Sequence, residues 1–104
     1  MIFQNVNSIN NIPVRLTYER LYHIIENHDD MAGKTFEILE TIANPDIIFK
    51  AKEGELLASR QLNGHWLIVV YREQNRDGFI ITAFETTKIN DIKRIKKTIW
   101  VKKK

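Results

Sequence analysis

Residues 45–88 hold four consecutive segments of strand-like composition, and this run most constrains what the chain can fold into. The segments are PDIIFKAK, ELLASRQL, HWLIVVYR and GFIITAFETTK. Asn63-Gly64 separates the second from the third, and this dipeptide favours the two-residue type I′ turn of a β-hairpin. Such a turn pairs residue 62 with residue 65 and sets Arg60 opposite Leu67. We therefore predict an antiparallel meander over this region, with the loop EQNRDG joining its last two strands.

Two helices are predicted before the meander. Thr17 is a good N-cap for the first helix, and Asn44-Pro45 ends the second, which follows Gly33. The buried stripes at helical spacing are predicted as Tyr18, Leu21, Ile25 and His28 in the first helix, and Phe36, Leu39, Ile42 and Ala43 in the second. The predicted fold class is therefore α+β, with N-terminal helices packed on one face of a four- to five-stranded antiparallel meander sheet.

The length of 104 residues accommodates one domain. We divide it into an N-terminal arm (1–13), a folded body (14–100) and a basic tail (101–104). The arm is predicted to be loosely held or to form a short edge strand. The absence of cysteine excludes a disulfide framework, a thiolate metal site and a cysteine nucleophile. The N-terminus lacks the features of a signal peptide, and the longest apolar stretch, 66–71, is too short to span a bilayer. We expect a cytoplasmic protein without a membrane partner.

Positive charge is concentrated at the C-terminus. Residues 92–104 contain seven of the sixteen basic residues and no acid, which leaves nine basic residues against thirteen acidic ones elsewhere. This asymmetry is compatible with a phosphate-rich partner. The alternative is a solvated terminus that lysine keeps soluble.

His23 and His28 are the histidines of the first predicted helix. Histidine serves as a general acid or base near neutral pH. His28 falls on the apolar stripe, which favours a buried structural role, whereas His23 lies off the stripe, one turn from Glu19, which could orient its ring. An exposed Glu–His pair without a role is equally ordinary. His65, after the Asn-Gly turn, is predicted to be a surface residue.

Arg60 is the charged residue inside the second strand. An isolated charge is costly to bury, so its guanidinium must reach solvent, a carboxylate such as Glu55 or Glu85, or a phosphate. Tyr71 and Thr82 are predicted beside it on the neighbouring strands. Phosphate-cradling glycine loops are absent, and the adjacent residues of HDD (28–30) make a poor metal site. No metal or other cofactor is predicted.

Several segments together carry a resemblance to a known superfamily. They are LTYERLYHIIENHDDM, then PDII, then GELLASRQ, then HWLIVVYRE and DGFIITAFETTKI. In this order and spacing, over roughly residues 14–100, the chain resembles the phage- and toxin-associated branch of the barnase–EndoU–colicin–RelE-like (BECR) nucleases. The resemblance implies metal-independent RNA cleavage by attack of the 2′-hydroxyl on the adjacent phosphate.

The resemblance also implies roles for individual residues. That superfamily places a helix histidine, a basic residue of the second strand and a hydroxyl of the fourth strand around the scissile phosphate. The catalytic roles map onto His23 or His28, Arg60 and Thr82, and the substrate-binding roles onto Tyr71, Thr86, Lys50 and Lys52. RNA is the predicted partner, with an antitoxin or immunity protein, or a second copy bound through the other sheet face, as further candidates. The alternative function is a non-catalytic module that binds nucleic acid or protein on the same fold.

Overall fold

The computed structural model describes the backbone of residues 2–103 and the side chains of residues 4–103. Within this range, seven strands form one sheet, with three α-helices and a short 3₁₀ turn (Asp29–Met31) in the connections. The strands are β1 (Ile2–Asn7), β2 (Pro13–Thr17), β3 (Ile47–Lys50), β4 (Leu56–Leu62), β5 (His65–Gln74), β6 (Asp77–Thr86) and β7 (Lys97–Val101). The helices are α1 (Tyr18–Asn27), α2 (Thr35–Ala43) and α3 (Ile89–Ile95).

The sheet is mixed, so the predicted fold class is wrong. The strand order is β1-β2-β6-β5-β4-β3-β7, and β2 pairs with β6 in parallel through Val14–Gly78 and Arg15–Phe79. The N-terminal segment was predicted as a loosely held arm or a short edge strand. It forms the hairpin of β1 and β2, in which β1 is an edge strand of the sheet. β7 adds a further strand beside β3. Local turn signals within 45–88 could not predict the pairing partners of β2 and β7, because both pairings join distant segments of the chain.

The β4–β5 hairpin has the predicted register. His65 pairs with Leu62, and Arg60 lies opposite Leu67. The turn residues Asn63 and Gly64 have φ values of 46° and 84°. Positive φ at both central residues is what a type I′ turn requires, and Asn-Gly tolerates it best.

The predicted loop EQNRDG is instead another tight turn. Gln74 pairs with Asp77, which leaves Asn75 and Arg76 as a two-residue connection between β5 and β6. Both have positive φ, 51° and 66°. Arginine has no intrinsic preference for this backbone region, so a two-residue turn here could not be predicted from residue type.

A β-bulge interrupts the pairing of β5 with β6. Tyr71 lies opposite Ile80, whereas the preceding Val70 lies opposite Thr82, so Ile81 is the extra residue. Side chains alternate between the two faces of a strand, and one extra residue reverses the facing of every residue beyond it. The bulge therefore decides which face each side chain of the C-terminal half of β6 occupies.

The two faces of the sheet have separate apolar layers. The front face carries Leu67, Val69 and Tyr71, which pack with buried residues of α1 and α2. The back face carries Ile68, which packs with Ile89 of α3. Helices therefore cover both faces, rather than the single face predicted.

The predicted start of the first helix is correct, whereas two of the residues predicted to be buried in the helices are exposed. Thr17 caps α1 as predicted, because its Oγ1 accepts a hydrogen bond from the backbone N–H of Arg20 at 3.1 Å. Tyr18 and Phe36, both assigned to buried stripes, are instead 51% and 71% exposed. Among the described residues, none of the helices is both long and apolar enough to cross a membrane.

Candidate functional site

Glu85, near the end of β6, is the centre of a charged cluster on the front face. It lies opposite Leu67, beyond the bulge at Ile81. Its Oε1 accepts a short hydrogen bond from Nζ of Lys34, which immediately precedes α2. Its Oε2 lies 3.2 Å from Nδ1 of His65 at the start of β5. We call Lys34, His65 and Glu85 the Glu85 cluster.

The bulge is the cause of this arrangement. If β6 continued without an extra residue from its turn, Glu85 would lie opposite Trp66 on the back face. The extra residue turns it to the front face, toward the segment that begins α2. Bulges that redirect a side chain recur beside functional sites.

The electrostatics of the cluster keep Glu85 ionised. The hydrogen bond from Lys34 lowers the pKa of Glu85, and the contact with His65 lowers it further, against the effect of partial burial. The same bond raises the pKa of Lys34. An ionised Glu85 can accept a hydrogen bond from the Nδ1–H group of His65, which leaves Nε2 of the imidazole available to a bound molecule.

Two clefts meet at this cluster and share His65 and Glu85. One has a volume of about 330 Å³ and is also lined by Lys34, Glu37, Leu62 and Asn63. The other has a volume of about 350 Å³ and is also lined by Asp30, Thr86, Thr87 and Lys88. The His65 side chain is 55% exposed and that of Glu85 is 14% exposed, so the imidazole is open to solvent while its carboxylate partner is largely enclosed.

The two helix histidines lie outside the Glu85 cluster. The side chain of His23 is 62% exposed, and its Nδ1 lies 3.7 Å from Oε1 of Glu26 rather than beside Glu19. His28 is half-buried, and its ring centroid lies 5.9 Å from that of Phe84. The ring contact agrees with a packing role for His28.

Arg60 and Thr82 lie on opposite faces of the sheet. Arg60 lies opposite Leu67 on the front face, and its Nη1 is 3.8 Å from Oε1 of Glu40 on α2. Thr82 lies opposite Val70, whose side chain packs on the back face. The bulge is again the reason, because an unbroken β6 would place Thr82 on the front face.

Tyr71 and Thr86 occupy different environments. Tyr71 is fully buried, and its hydroxyl has no hydrogen-bond partner among the described residues. Burial raises the pKa of this hydroxyl, which lies out of reach of a substrate at the surface. Thr86 borders the second cleft of the Glu85 cluster, and its Oγ1 accepts a hydrogen bond from the backbone N–H of Lys88 at 3.0 Å.

Lys50 and Lys52 lie at the other end of the sheet. They line a separate groove formed where β3 ends and β7 begins. Lys50 lies opposite Leu56 at the start of β4, whereas His65 pairs with Leu62 at its end. The predicted substrate-binding lysines and the Glu85 cluster are thus separated by the length of β4.

Sequence reasoning missed the pairing of His65 with Glu85. The Asn-Gly turn fixed the position of His65, but the position of Glu85 depends on the turn at 75–76 and on the bulge. Neither has a specific sequence signature. A Glu and a His near the ends of adjacent predicted strands were the only available signal.

Across residues 4–103, no group of three or more His, Cys, Asp or Glu side chains is placed to hold a metal ion. The Glu85 cluster contributes only one carboxylate and one imidazole, with an ammonium group beside them. A carboxylate hydrogen-bonded to an imidazole is an arrangement that can transfer a proton.

Comparison with known proteins gives a family but no activity. Neither the curated proteins nor the solved structures contain a match to the chain. A family model described as "Domain of unknown function (DUF4258)" matches residues 22–85, which include His65 and Glu85. Since the match covers more than half of the sequence, the chain belongs to the DUF4258 family.

Proposed function

We propose that the protein is a small metal-independent endoribonuclease, of the toxin or phage-processing type, in which His65 is the acid–base residue. The observation that carries this proposal is the 3.2 Å contact between Nδ1 of His65 and Oε2 of Glu85 beside an open cleft. Glu85 orients the ring and fixes its tautomer, as a carboxylate does for a catalytic histidine. The sequence resemblance to BECR nucleases supplies the reaction class.

The proposed reaction begins with the 2′-hydroxyl of a ribose bound in the second cleft. Nε2 of neutral His65 accepts the hydroxyl proton as the 2′-oxygen attacks the adjacent phosphorus. The bond from phosphorus to the 5′-oxygen breaks, and water in the open cleft protonates that oxygen. The hydroxide left behind takes the proton from the imidazolium of His65, which returns the ring to its neutral form. The products are a 2′,3′-cyclic phosphate and a 5′-hydroxyl end.

Lys88 and Lys34 have different parts in this proposal. Lys88 lines the cleft beside His65 and makes no ion pair among the described residues, so its ammonium group is available to a phosphate oxygen. Lys34 is already bonded to Glu85 and keeps that carboxylate ionised. An ionised partner stabilises the imidazolium that forms when His65 accepts the proton.

A panel of three histidine variants tests this assignment. Cleavage of single-stranded RNA is measured with EDTA present for the wild type, His65→Asn, His28→Asn and His23→Asn. We expect His65→Asn to lower the rate by about 10²–10⁴-fold, the usual contribution of a positioned acid–base group. His23→Asn is the matched control, because the ring of His23 is exposed and its ion-pair partner is Glu26, which lies outside the Glu85 cluster.

Substrate and product controls complete the experiment. RNA carrying 2′-O-methyl groups should resist cleavage, and the products of unmodified RNA should carry cyclic phosphate ends. Wild-type protein without RNase activity would contradict the enzymatic proposal. Loss of activity in His23→Asn or His28→Asn, with full activity in His65→Asn, would show that the catalytic histidine is His23 or His28 and not His65.

The second candidate function is a non-catalytic module that binds nucleic acid or protein. It is favoured by the separation of Arg60 from Thr82, which lie on opposite faces of the sheet and so cannot contact one phosphate together. Such a module would bind RNA with a steep salt dependence and leave it covalently unchanged. Product analysis of the bound RNA therefore distinguishes the two functions.

A further inference from the structure

The groove between the end of β3 and the start of β7 is lined by four lysines. Its volume is about 580 Å³, within the range of ligand pockets. The lysines are Lys50, Lys52, Lys96 and Lys97. None of them forms an ion pair within the described part of the chain. We call this space the lysine groove.

Lys50 and Lys97 are direct cross-strand partners in the antiparallel pair of β3 and β7. Like charges directly opposite each other destabilise a sheet, because the two side chains lie close together on the same face of the sheet. Both side chains are exposed. Edge lysines that prevent aggregation are common, but that role does not require a second lysine opposite the first. A bound anion would relieve the repulsion.

The acidic residues of the lysine groove do not cancel its charge. Glu55 is engaged by Arg72, whose Nη2 lies 3.5 Å from its Oε2. Glu53 is the other carboxylate of the groove, and it has no ion pair among the described residues. Its single negative charge is outnumbered by the four positive charges of the lysines. Ile95 adds an apolar side chain that is 75% exposed. The groove therefore offers positive charge beside an apolar contact.

We propose that the lysine groove binds the phosphodiester backbone of single-stranded nucleic acid. A concave, positively charged groove follows a single strand, with ammonium groups on phosphates and the apolar side chain against sugar or base. This second binding site does not take part in the chemistry at His65. Its ligand class agrees with the proposed function, but binding does not depend on cleavage.

Matched charge variants test the proposal. Binding of a fluorescent 2′-O-methyl RNA of about twelve nucleotides, a length within the usual range of single-strand sites, is followed by anisotropy. Such RNA cannot be cleaved through its 2′-oxygen. The groove variant is Lys50→Gln/Lys97→Gln. The control is Lys93→Gln/Lys103→Gln, which removes the same charge from exposed positions outside the groove.

The salt dependence gives the expected size of the effect. Each phosphate contact on a single strand contributes about −0.7 to the slope of log affinity against log salt, so losing two contacts should reduce the slope by about 1.4. Between about 50 and 200 mM salt, wild-type affinity should then fall about sevenfold more than that of the groove variant. Equal slopes for the groove and control variants would overturn the proposal.

A further variant separates loss of binding from loss of folding. Lys97→Glu places a carboxylate opposite Lys50, which should raise the Tm by about 1–6 °C while weakening RNA binding. A lower Tm, or binding equal to that of the control variant, would overturn the proposal. His65→Asn should bind the same RNA with the wild-type slope. Loss of catalysis and loss of groove binding are therefore observed separately.

Discussion

Glu85 contacts two different elements of the fold through one carboxylate. Its two oxygens contact Lys34 and His65 separately, so it joins the start of α2 to the start of β5. The ion pair with Lys34 is partly enclosed, with side-chain exposures of 36% and 14%. The same carboxylate orients His65 in the proposed reaction. Removing its charge should therefore change stability as well as activity.

Glu85→Gln should lose a stabilising contribution that depends on pH. The pKa of Glu85 in the folded protein lies below its ordinary value of 4.5, so the carboxylate stabilises the fold above about pH 4.5. This contribution is lost as the pH falls through the folded-state pKa. The Tm difference between wild type and Glu85→Gln should be largest above about pH 5 and shrink below it.

Solvent screening limits the size of this effect, because Lys34 is a third exposed, and we expect about 1 kcal/mol or less. Thermal unfolding from about pH 3 to 8 measures it. Glu53→Gln, in the exposed turn between β3 and β4, is the matched control. A Tm difference for Glu85→Gln that grows as the solution becomes more acidic would contradict the assigned direction of the pKa shift.

At the scale of single elements, β6 was predicted as a strand, but its β-bulge was not predicted. Its existence and its antiparallel pairing with β5 followed from alternating apolar residues. The extra residue at Ile81 could not be predicted, because isoleucine is common in regular strands and its presence does not indicate a bulge. That one residue separates Thr82 from Arg60 and brings Glu85 to His65. The site prediction therefore depended on a detail of register.

Gly78 is the position in β6 where β2 approaches. A Cβ atom there would lie 2.9 Å from the carbonyl oxygen of Arg72 and 3.0 Å from Cγ2 of Val14. Gly78→Ala should therefore strain the parallel pairing of β2 with β6 and cost about 1–3 kcal/mol, the usual effect of overpacking. Urea unfolding measures the loss.

Gly64→Asn is the control for that substitution. Gly64 has a positive φ of 84° and no neighbouring atom within 4 Å of its added Cβ. Asparagine tolerates positive φ better than other side chains, so the change should cost about 0.5 kcal/mol or less. Equal stability of Gly78→Ala and wild type would show that the close approach of the strands is not needed.

At the scale of the whole molecule, long-range pairing was the part that the sequence could not predict. The segment TIWV (98–101) has the composition of a short edge strand, and β7 is a strand at the edge of the sheet. Its partner is β3, from which it is separated by three strands and a helix in the chain. The β1–β2 hairpin likewise reaches β6 across most of the sequence. Such pairings carry little local signal, since their stability comes from burial of both faces.

A substitution at Trp100 tests how much β7 contributes to the stability of the fold. It packs against the main apolar cluster, whereas its neighbour Ile99 is 45% exposed. Trp100→Ala should cost about 2–3 kcal/mol, less than truncation of a fully buried aromatic residue. Ile99→Ala should change stability by about 0.5 kcal/mol or less. Similar losses in the two variants, measured by urea unfolding, would indicate that β7 is not packed as described.

The separation of the two proposed sites predicts how RNA length affects cleavage. Lys50 and His65 lie opposite residues 56 and 62 of β4. Six residues along a strand and two strand spacings across the sheet put the two sites at least about 22 Å apart. A single RNA strand with stacked bases rises about 3.4 Å per nucleotide, so about seven nucleotides are needed to reach both sites.

Binding at two linked sites raises the effective concentration of substrate at the second site. We therefore expect kcat/KM for RNA cleavage to rise steeply once the substrate exceeds about seven nucleotides. Lys50→Gln/Lys97→Gln should remove this dependence on length while preserving cleavage of shorter substrates. The control variant Lys93→Gln/Lys103→Gln should keep it. If wild-type kcat/KM is the same for short and long substrates, the lysine groove does not act with His65 on one RNA strand.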